Sequence, residues 1–427
     1  MKYRHLLASV LASIAIAQVS HAADPMATDY TAIQCEGSLT PYPAHVEIVA
    51  TPDSLTPVYV SHVGRHGARY PAGSMHCLTL DRALHHADSI GTITPLGRDL
   101  MKLNELIIAE SDGRWGALDS VGMAEQRGIA ARMVKTFPEL FKGDGTVNAL
   151  SSYSPRSMMS MFSFVHEMDR LNQRMTYLTS TGRVNSILMR PFDVDKDYLM
   201  FRKDNVSGPA YDNYFNEVCP LTAITRVLGR DYPFGSTEKA RDLAINEYYV
   251  LAGLSAMGMK PEMDKYFTPA EMNALWSCFN LRQYLQRTAT TVSAIPADIA
   301  SELVLDIIDK MDKAANGQNP AVADLRFGHA ETVMPLVSLL RFPGCFYMTN
   351  YFDTVAKHWR DFDVVPMASN VQFILFKSNK TGEFYVRTEL NEKPLSVLPD
   401  DSRIYVPWGE MRRYMTLCLP IHFQDMR

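Results

Sequence analysis

Between residues 60 and 71 the chain reads VSHVGRHGARYP. The guanidiniums of Arg65 and Arg69 flank the imidazole of His66, and glycines stand at 64 and 67. Arginine keeps its charge at any relevant pH and offers a planar fork of donors that matches phosphate oxygens. Cations crowded in this way repel one another until an anion arrives. Histidine attacks phosphorus only through a ring nitrogen without a proton. A carbonyl brought close by a neighbouring glycine could hold Nδ1–H and leave Nε2 as the nucleophile. The arginines would then align the phosphoryl group and neutralise its oxygens as charge shifts. A lone histidine in such a loop is more simply a packed one. The whole string favours chemistry, because each residue has a use in one mechanism.

Two clusters further along complete that chemistry. Arg156, in SYSPRSM, stands where a strand ends and a helix begins, a position that suits a third phosphate donor. Exposed arginines are common at such places, so Arg156 alone carries little weight. In GHAET, residues 328–332, His329 could donate to a phosphate oxygen and Glu331 could protonate a leaving alkoxide. Each also has a plain structural role, His329 as a helix N-cap and Glu331 as a first-turn acid that favours the helix dipole. With arginines neutralising the phosphate, the reaction needs no metal and no other cofactor. His85, His86 and Asp88 form no metal site, since adjacent helical histidines point in different directions.

These clusters need elements to carry them. Val58–Val63 is a β-rich run that enters Gly64, a buried strand followed by a loop. Helical spacing covers 96–110 and 120–137, the latter with Glu125 and Arg127 on a polar face and Pro138 at its end. Residues 148–153 predict a second strand, and a helix begins at Pro155. Helical patterns dominate 160–315. Residues 322–328 predict a strand and His329 opens another helix. Alternation over 371–377 and 383–390 around SNKTGE predicts a hairpin. The order implies an α/β core with a mostly helical insertion. RHGAR, SPR and GHAE each fall at the carboxyl end of a strand, where ligands of such sheets gather.

Bulk properties narrow the function. The 427 residues are 47% apolar and 21% charged, an ordinary globular balance that allows a large core. Residues 1–22 carry Lys2 and Arg4, a short apolar run and a small-residue site at Ser20-His21-Ala22, the pattern of a secretory signal peptide. No later stretch is long and apolar enough for a membrane span. The net charge is −5, and cleavage after Ala22 makes it more acidic, which excludes a nucleic-acid footprint. Cys35, Cys77, Cys219, Cys278, Cys345 and Cys418 are an even set, which in an exported chain suggests disulfides. The expected partner is a small phosphorylated molecule, and no oligomeric state is read.

RHGARYP resembles the R-H-G-x-R-x-P signature of the histidine acid phosphatases, and GHAE resembles that family's second cluster. Most of the family has His-Asp there, with the aspartate as proton donor. His-Ala-Glu is similar to the multiple inositol polyphosphate phosphatase branch, whose bacterial members act as phytases. DGRWGALDSVGMAEQRGIAARM and FPELF are similar to the same branch. The resemblance spans the mature chain and is weak between about 200 and 310. It implies His66 as nucleophile, Arg65, Arg69, Arg156 and His329 as the phosphate clamp, and Glu331 as donor. The extra residue rotates the acid by about 100° on its helix, partly offset by the longer glutamate.

The implied fold is an α/β phosphatase core, residues 24–158 and 320–427, with a helical cap at 159–319 and the substrate cleft between them. A polyphosphorylated inositol calls for a basic rim, for which Arg183, Arg190, Lys196, Arg202 and Lys203 are candidates. A solvated charged loop explains that run equally well. The expected function is phosphate release from inositol polyphosphates through a phosphohistidine. The alternatives are the same chemistry on sugar phosphates or bisphosphoglycerate, or capture of a phosphorylated ligand without turnover.

Overall fold

In a computed structural model, which describes residues 29–424, eight strands form one sheet. The stretch at 1–22 expected to be a signal peptide lies outside the described residues. The strands are β1 (Leu55–Arg65), β2 (Thr146–Ser151), β3 (Thr176–Ser180), β4 (Ala321–Gly328), β5 (Asn370–Ser378), β6 (Phe384–Leu390), β7 (Lys393–Leu395) and β8 (Tyr405–Pro407). Their order is β3-β2-β4-β1-β5-β6-β7, with β8 beside β6. β3, β2, β4 and β1 run parallel, while β5 pairs antiparallel with β1 and with β6. β1 therefore lies inside the sheet and is buried along most of its length. A strand covered on both faces needs no polar alternation, which explains the unbroken apolar start of the run.

The helices used below are α1 (Met75–Ser89), α2 (Pro95–Ser111), α3 (Ser120–Thr136), α4 (Pro155–Leu171), α5 (Lys196–Lys203), α6 (Thr237–Ala252), α7 (Pro269–Arg287), α8 (Ser301–Ala315), α9 (Ala330–Leu339) and α10 (Trp408–Cys418). Successive residues of β1 point to opposite faces. Val60 packs with Ile129 and Met133 of α3 and with Met161 and Phe164 of α4. Tyr59 and Val63 pack with Val304 and Ile307 of α8, Val333 and Val337 of α9, and Met411 of α10. A helical layer thus covers each face of the sheet.

A third apolar cluster joins helices from before and within the stretch expected as a cap. It joins Leu80 and Leu84 of α1 and Leu100 and Ile107 of α2 to Tyr248 of α6 and Trp276 of α7. Residues 75–111 thus sit with the cap although they precede the expected insertion. Conversely, β3 extends the sheet and α8 packs on β1, although both fall within 159–319. Helical spacing shows that an apolar stripe exists and does not show which surface covers it.

All six cysteines are free thiols, contrary to the disulfides expected from their even number. Five are buried, and Cys35, Cys77, Cys219 and Cys278 belong to the cap cluster. A buried thiol acts there as a small hydrophobe. Burial pushes Cys35 up to about 12 and Cys77 up to about 11.

Candidate active site

The register of the parallel strands sets their carboxyl ends side by side. Arg65 pairs with Gly328 and Ser151 with Phe327. The three polar clusters therefore emerge at one edge of the sheet.

At the end of β1 the backbone of residue 66 is pinned from both sides. Its N–H donates to Gly328 O at 3.1 Å, and its carbonyl accepts from Ala368 N–H at 3.0 Å. His66 Nδ1 lies 2.9 Å from the Gly67 carbonyl, which can only accept, so Nδ1 carries the hydrogen and Nε2 the lone pair. Burial holds His66 well below the usual imidazole range, helped by Arg156, Arg65, His329 and Arg69. Gly67 permits this close seating: a Cβ there would meet the Gly122 carbonyl oxygen of α3 at 2.4 Å.

Glu125 of α3 does not serve the polar face expected of it. Its carboxylate accepts from Ala68 N–H and Tyr42 N–H, both at 2.7 Å, and so fixes the loop after His66. Burial raises it to about 7, against the pull of those two donors.

Arg65 donates through Nη1 to the carbonyls of Ser38 and Val365, each at 2.6 Å. Its Nε, and those of Arg69 and Arg156, are buried without a partner. All three side chains line the same cleft as His66. Burial and the neighbouring Arg156 and Arg65 hold Arg69 down to about 9, a sign of positive charge without its counterion.

His329 caps α9, and its N–H donates to Thr332 Oγ1 at 3.0 Å. Its ring stands 5.5 Å from that of His66, centroid to centroid. Nε2 lies 2.8 Å from Arg190 Nη1 and 2.9 Å from Ser152 Oγ. A guanidinium has no acceptor, so Nε2 accepts and His329 is neutral with its one ring hydrogen on Nδ1. Burial and Arg156 keep it well below its ordinary pKa. Glu331, in the first turn of α9, accepts from Arg287 Nη2 at 2.8 Å. Burial pushes its carboxyl up, but the charge and hydrogen bond of Arg287 outweigh burial and hold it below the carboxylate range.

The rim residues divide. Arg202 lines the cleft and bonds Gln286 Oε1 at 2.5 Å. Arg190 reaches His329 and is stacked over Tyr153 and Phe192. Arg183 is exposed over the Tyr153 ring, and Lys196 and Lys203 are exposed on α5, none of them lining the cleft. The second cationic wall comes instead from α7, through Arg282 and Arg287. Sequence reasoning missed it, although NLRQYLQR carries the signal. Arg282, Gln283, Gln286 and Arg287 fall on one side of a helix whose other sides are apolar and buried. The cleft has a volume of ≈ 340 Å³ and is lined by six arginines against one carboxylate, Glu331.

The family model described as histidine phosphatase superfamily (branch 2) matches residues 234–391, which include His329 and Glu331. The human protein named multiple inositol polyphosphate phosphatase 1 is 26% identical over 80% of this chain and 75% of its own length. The structure of Bifidobacterium longum multiple inositol polyphosphate phosphatase in complex with inositol hexasulfate superposes with a TM-score of 0.77 at 18% identity. That match covers 92% of this chain and 99% of the other. The phytase from D. castellii superposes with a TM-score of 0.70 at 17% identity, over 91% of this chain and 86% of the other. These matches place the fold among the histidine phosphatases, and the stretch that carries the GHAE helix start is similar to branch 2 of that superfamily.

Proposed function

We propose that this phosphatase is exported and hydrolyses inositol polyphosphates, phytate among them, through a phosphohistidine on His66. The observation that carries the reading is the cleft itself, where one unprotonated imidazole nitrogen faces a wall of six arginines broken by a single carboxylate. A substrate with one phosphate needs three of those arginines at most, while a ring bearing several phosphates has a use for the rest. The human relative and the Bifidobacterium neighbour are named for the same substrate class.

In this reading Arg65, Arg69 and Arg156 take up the oxygens of the reacting phosphate, with His329 beside them. Nε2 of His66 forms the N–P bond as the P–O bond to the inositol oxygen breaks. That oxygen receives a proton through Glu331, which first takes one up because its pair with Arg287 keeps it ionised in the free cleft. The carboxylate left on Glu331 then takes a proton from the water that attacks the phosphohistidine, which releases phosphate and restores His66. Arg202 and Arg282 receive neighbouring phosphates. The positive start of the chain, its short apolar run and the small residues before Ala23 support export.

The substrate class is tested by comparing kcat/KM for inositol hexakisphosphate, glucose 6-phosphate and 2,3-bisphosphoglycerate. Preference for the hexakisphosphate by about 100-fold or more is expected, since each added ion pair in the cleft contributes on the order of 1 kcal/mol or more. Preference for either of the other two would replace the substrate. Tight binding of all three without phosphate release would make the protein a binding protein. Export predicts a mature N-terminus at Ala23, read by mass spectrometry of the protein recovered outside the cytoplasm.

A further inference from the structure

The ion pair between Arg287 and Glu331 crosses the cleft. Arg287 is the last residue of α7, in the cap, and Glu331 sits in the first turn of α9, on the core. The distance from Nη2 to Oε1 is 2.8 Å, and Arg287 Nη1 also donates to Gln283 Oε1. Arg287 Nε is buried without a partner, and the side chain lines the cleft. A carboxylate so paired cannot give up a proton, because it has none. It is also surrounded by Arg65, Arg69 and Arg156 from the core, by His329 on its own element, and by Tyr198 of α5. The charge of one bound phosphate is taken up mainly by Arg65, Arg69 and Arg156. A second phosphate on the same molecule meets the α7 wall, where Arg287 is the guanidinium shared with the acid.

We infer that Arg287 is a latch on Glu331. A phosphate next to the reacting one draws the guanidinium away, and only then does the acid take up and deliver its proton. The inference rests on the reading of Glu331 as the donor. It makes Arg287 a positioning and specificity-determining residue, which admits polyphosphorylated substrates to catalysis and not merely to binding. The proton that Glu331 acquires comes from solvent, and it leaves on the alkoxide oxygen as the P–O bond breaks.

The test uses inositol hexakisphosphate, glycerol 2-phosphate (one alkyl ester) and p-nitrophenyl phosphate, whose phenolate leaves without a proton. In Arg287→Gln the ratio of kcat on glycerol 2-phosphate to kcat on p-nitrophenyl phosphate is expected to rise about ten-fold, a part of what general acid catalysis supplies. Arg287→Lys, which keeps a cation, is expected to return the ratio towards wild type. Equal losses on both esters in Arg287→Gln, with the ratio unmoved, would overturn the latch. A second measurement needs no variant at position 287. The carboxyl ¹³C signal of Glu331, identified by its loss in Glu331→Gln, is titrated in the wild type with inositol hexasulfate or inorganic sulfate present. The latch requires a higher midpoint with hexasulfate, and equal midpoints contradict it. If the wild type spares inositol hexakisphosphate and turns over the two simple esters, the substrate reading fails while the ratio still decides the latch.

Discussion

In the proposed mechanism His66 attacks phosphorus through a bare Nε2, and its environment secures that state twice. The Gly67 carbonyl accepts the hydrogen bond of Nδ1–H, and burial beside three arginines disfavours a second proton. The donor role proposed for Glu331 has the opposite requirement, a proton gained before it acts. Glu331→Gln is therefore expected to lower kcat on inositol hexakisphosphate by about 10²–10³-fold, the range of general acid catalysis. On p-nitrophenyl phosphate the loss should be under about ten-fold, because no proton is needed at the leaving oxygen. Parallel losses on the two substrates would remove Glu331 from the donor role. That residues 65–69 and 329–331 meet at one site was legible in the sequence because each cluster lies within a few adjacent positions at a strand end. Arg282 and Arg287 were not, since their role arises only where α7 lies along the cleft.

At the scale of elements, the seat of the His66 loop on α3 is a contact between two backbones. A Cβ on Gly122 would meet the Ala68 carbonyl oxygen at 2.2 Å, as one on Gly67 would meet that of Gly122. Neither neighbour is a flexible side-chain end, so the loop itself must move. Gly122→Ala is expected to cost about 1–3 kcal/mol of stability, the usual range for overpacking. It should also lower kcat by more than ten-fold, because displacements of this size misalign a nucleophile. The checks are the thermal midpoint and turnover of p-nitrophenyl phosphate, and unchanged turnover would show that the seat does not position His66. The strands at β1, β2 and β4, the helix opening at His329 and the β5–β6 hairpin followed from local pattern, which reports how a segment alternates. The inward turn of Glu125 did not follow, because a single carboxylate on a helix reads as solvent-facing until its acceptor role towards the loop is seen.

Across the whole molecule, the apolar cluster around Trp276 draws on separate stretches of chain, and the charges are divided between the two sides of the cleft. The parallel half of the sheet and its helical layers were legible from the order of elements. The contribution of α1 and α2 to the cap was not, because long-range partners leave no mark on a helix's own periodicity. The core also holds a titration that bears on stability. His62 is buried beside Phe164 and Phe327, with no partner on either ring nitrogen. Burial, aided by Arg326, lowers it to about 3, against about 6.5 when unfolded. A depressed value means that its contribution is complete above about pH 6.5 and is lost as pH falls towards 3. His62→Leu should therefore gain on wild type by about 1.4 kcal/mol per pH unit in that window, read by urea unfolding at several pH values. A difference that stays constant with pH would refute the assignment. The central claim, an inositol polyphosphate phosphatase whose nucleophile is His66, is tested most directly by phosphate release from inositol hexakisphosphate, with the mature protein and His66→Ala side by side. Sustained release by the wild type and none above background by the variant are expected. Release by both would contradict the nucleophile, and release by neither would contradict the substrate.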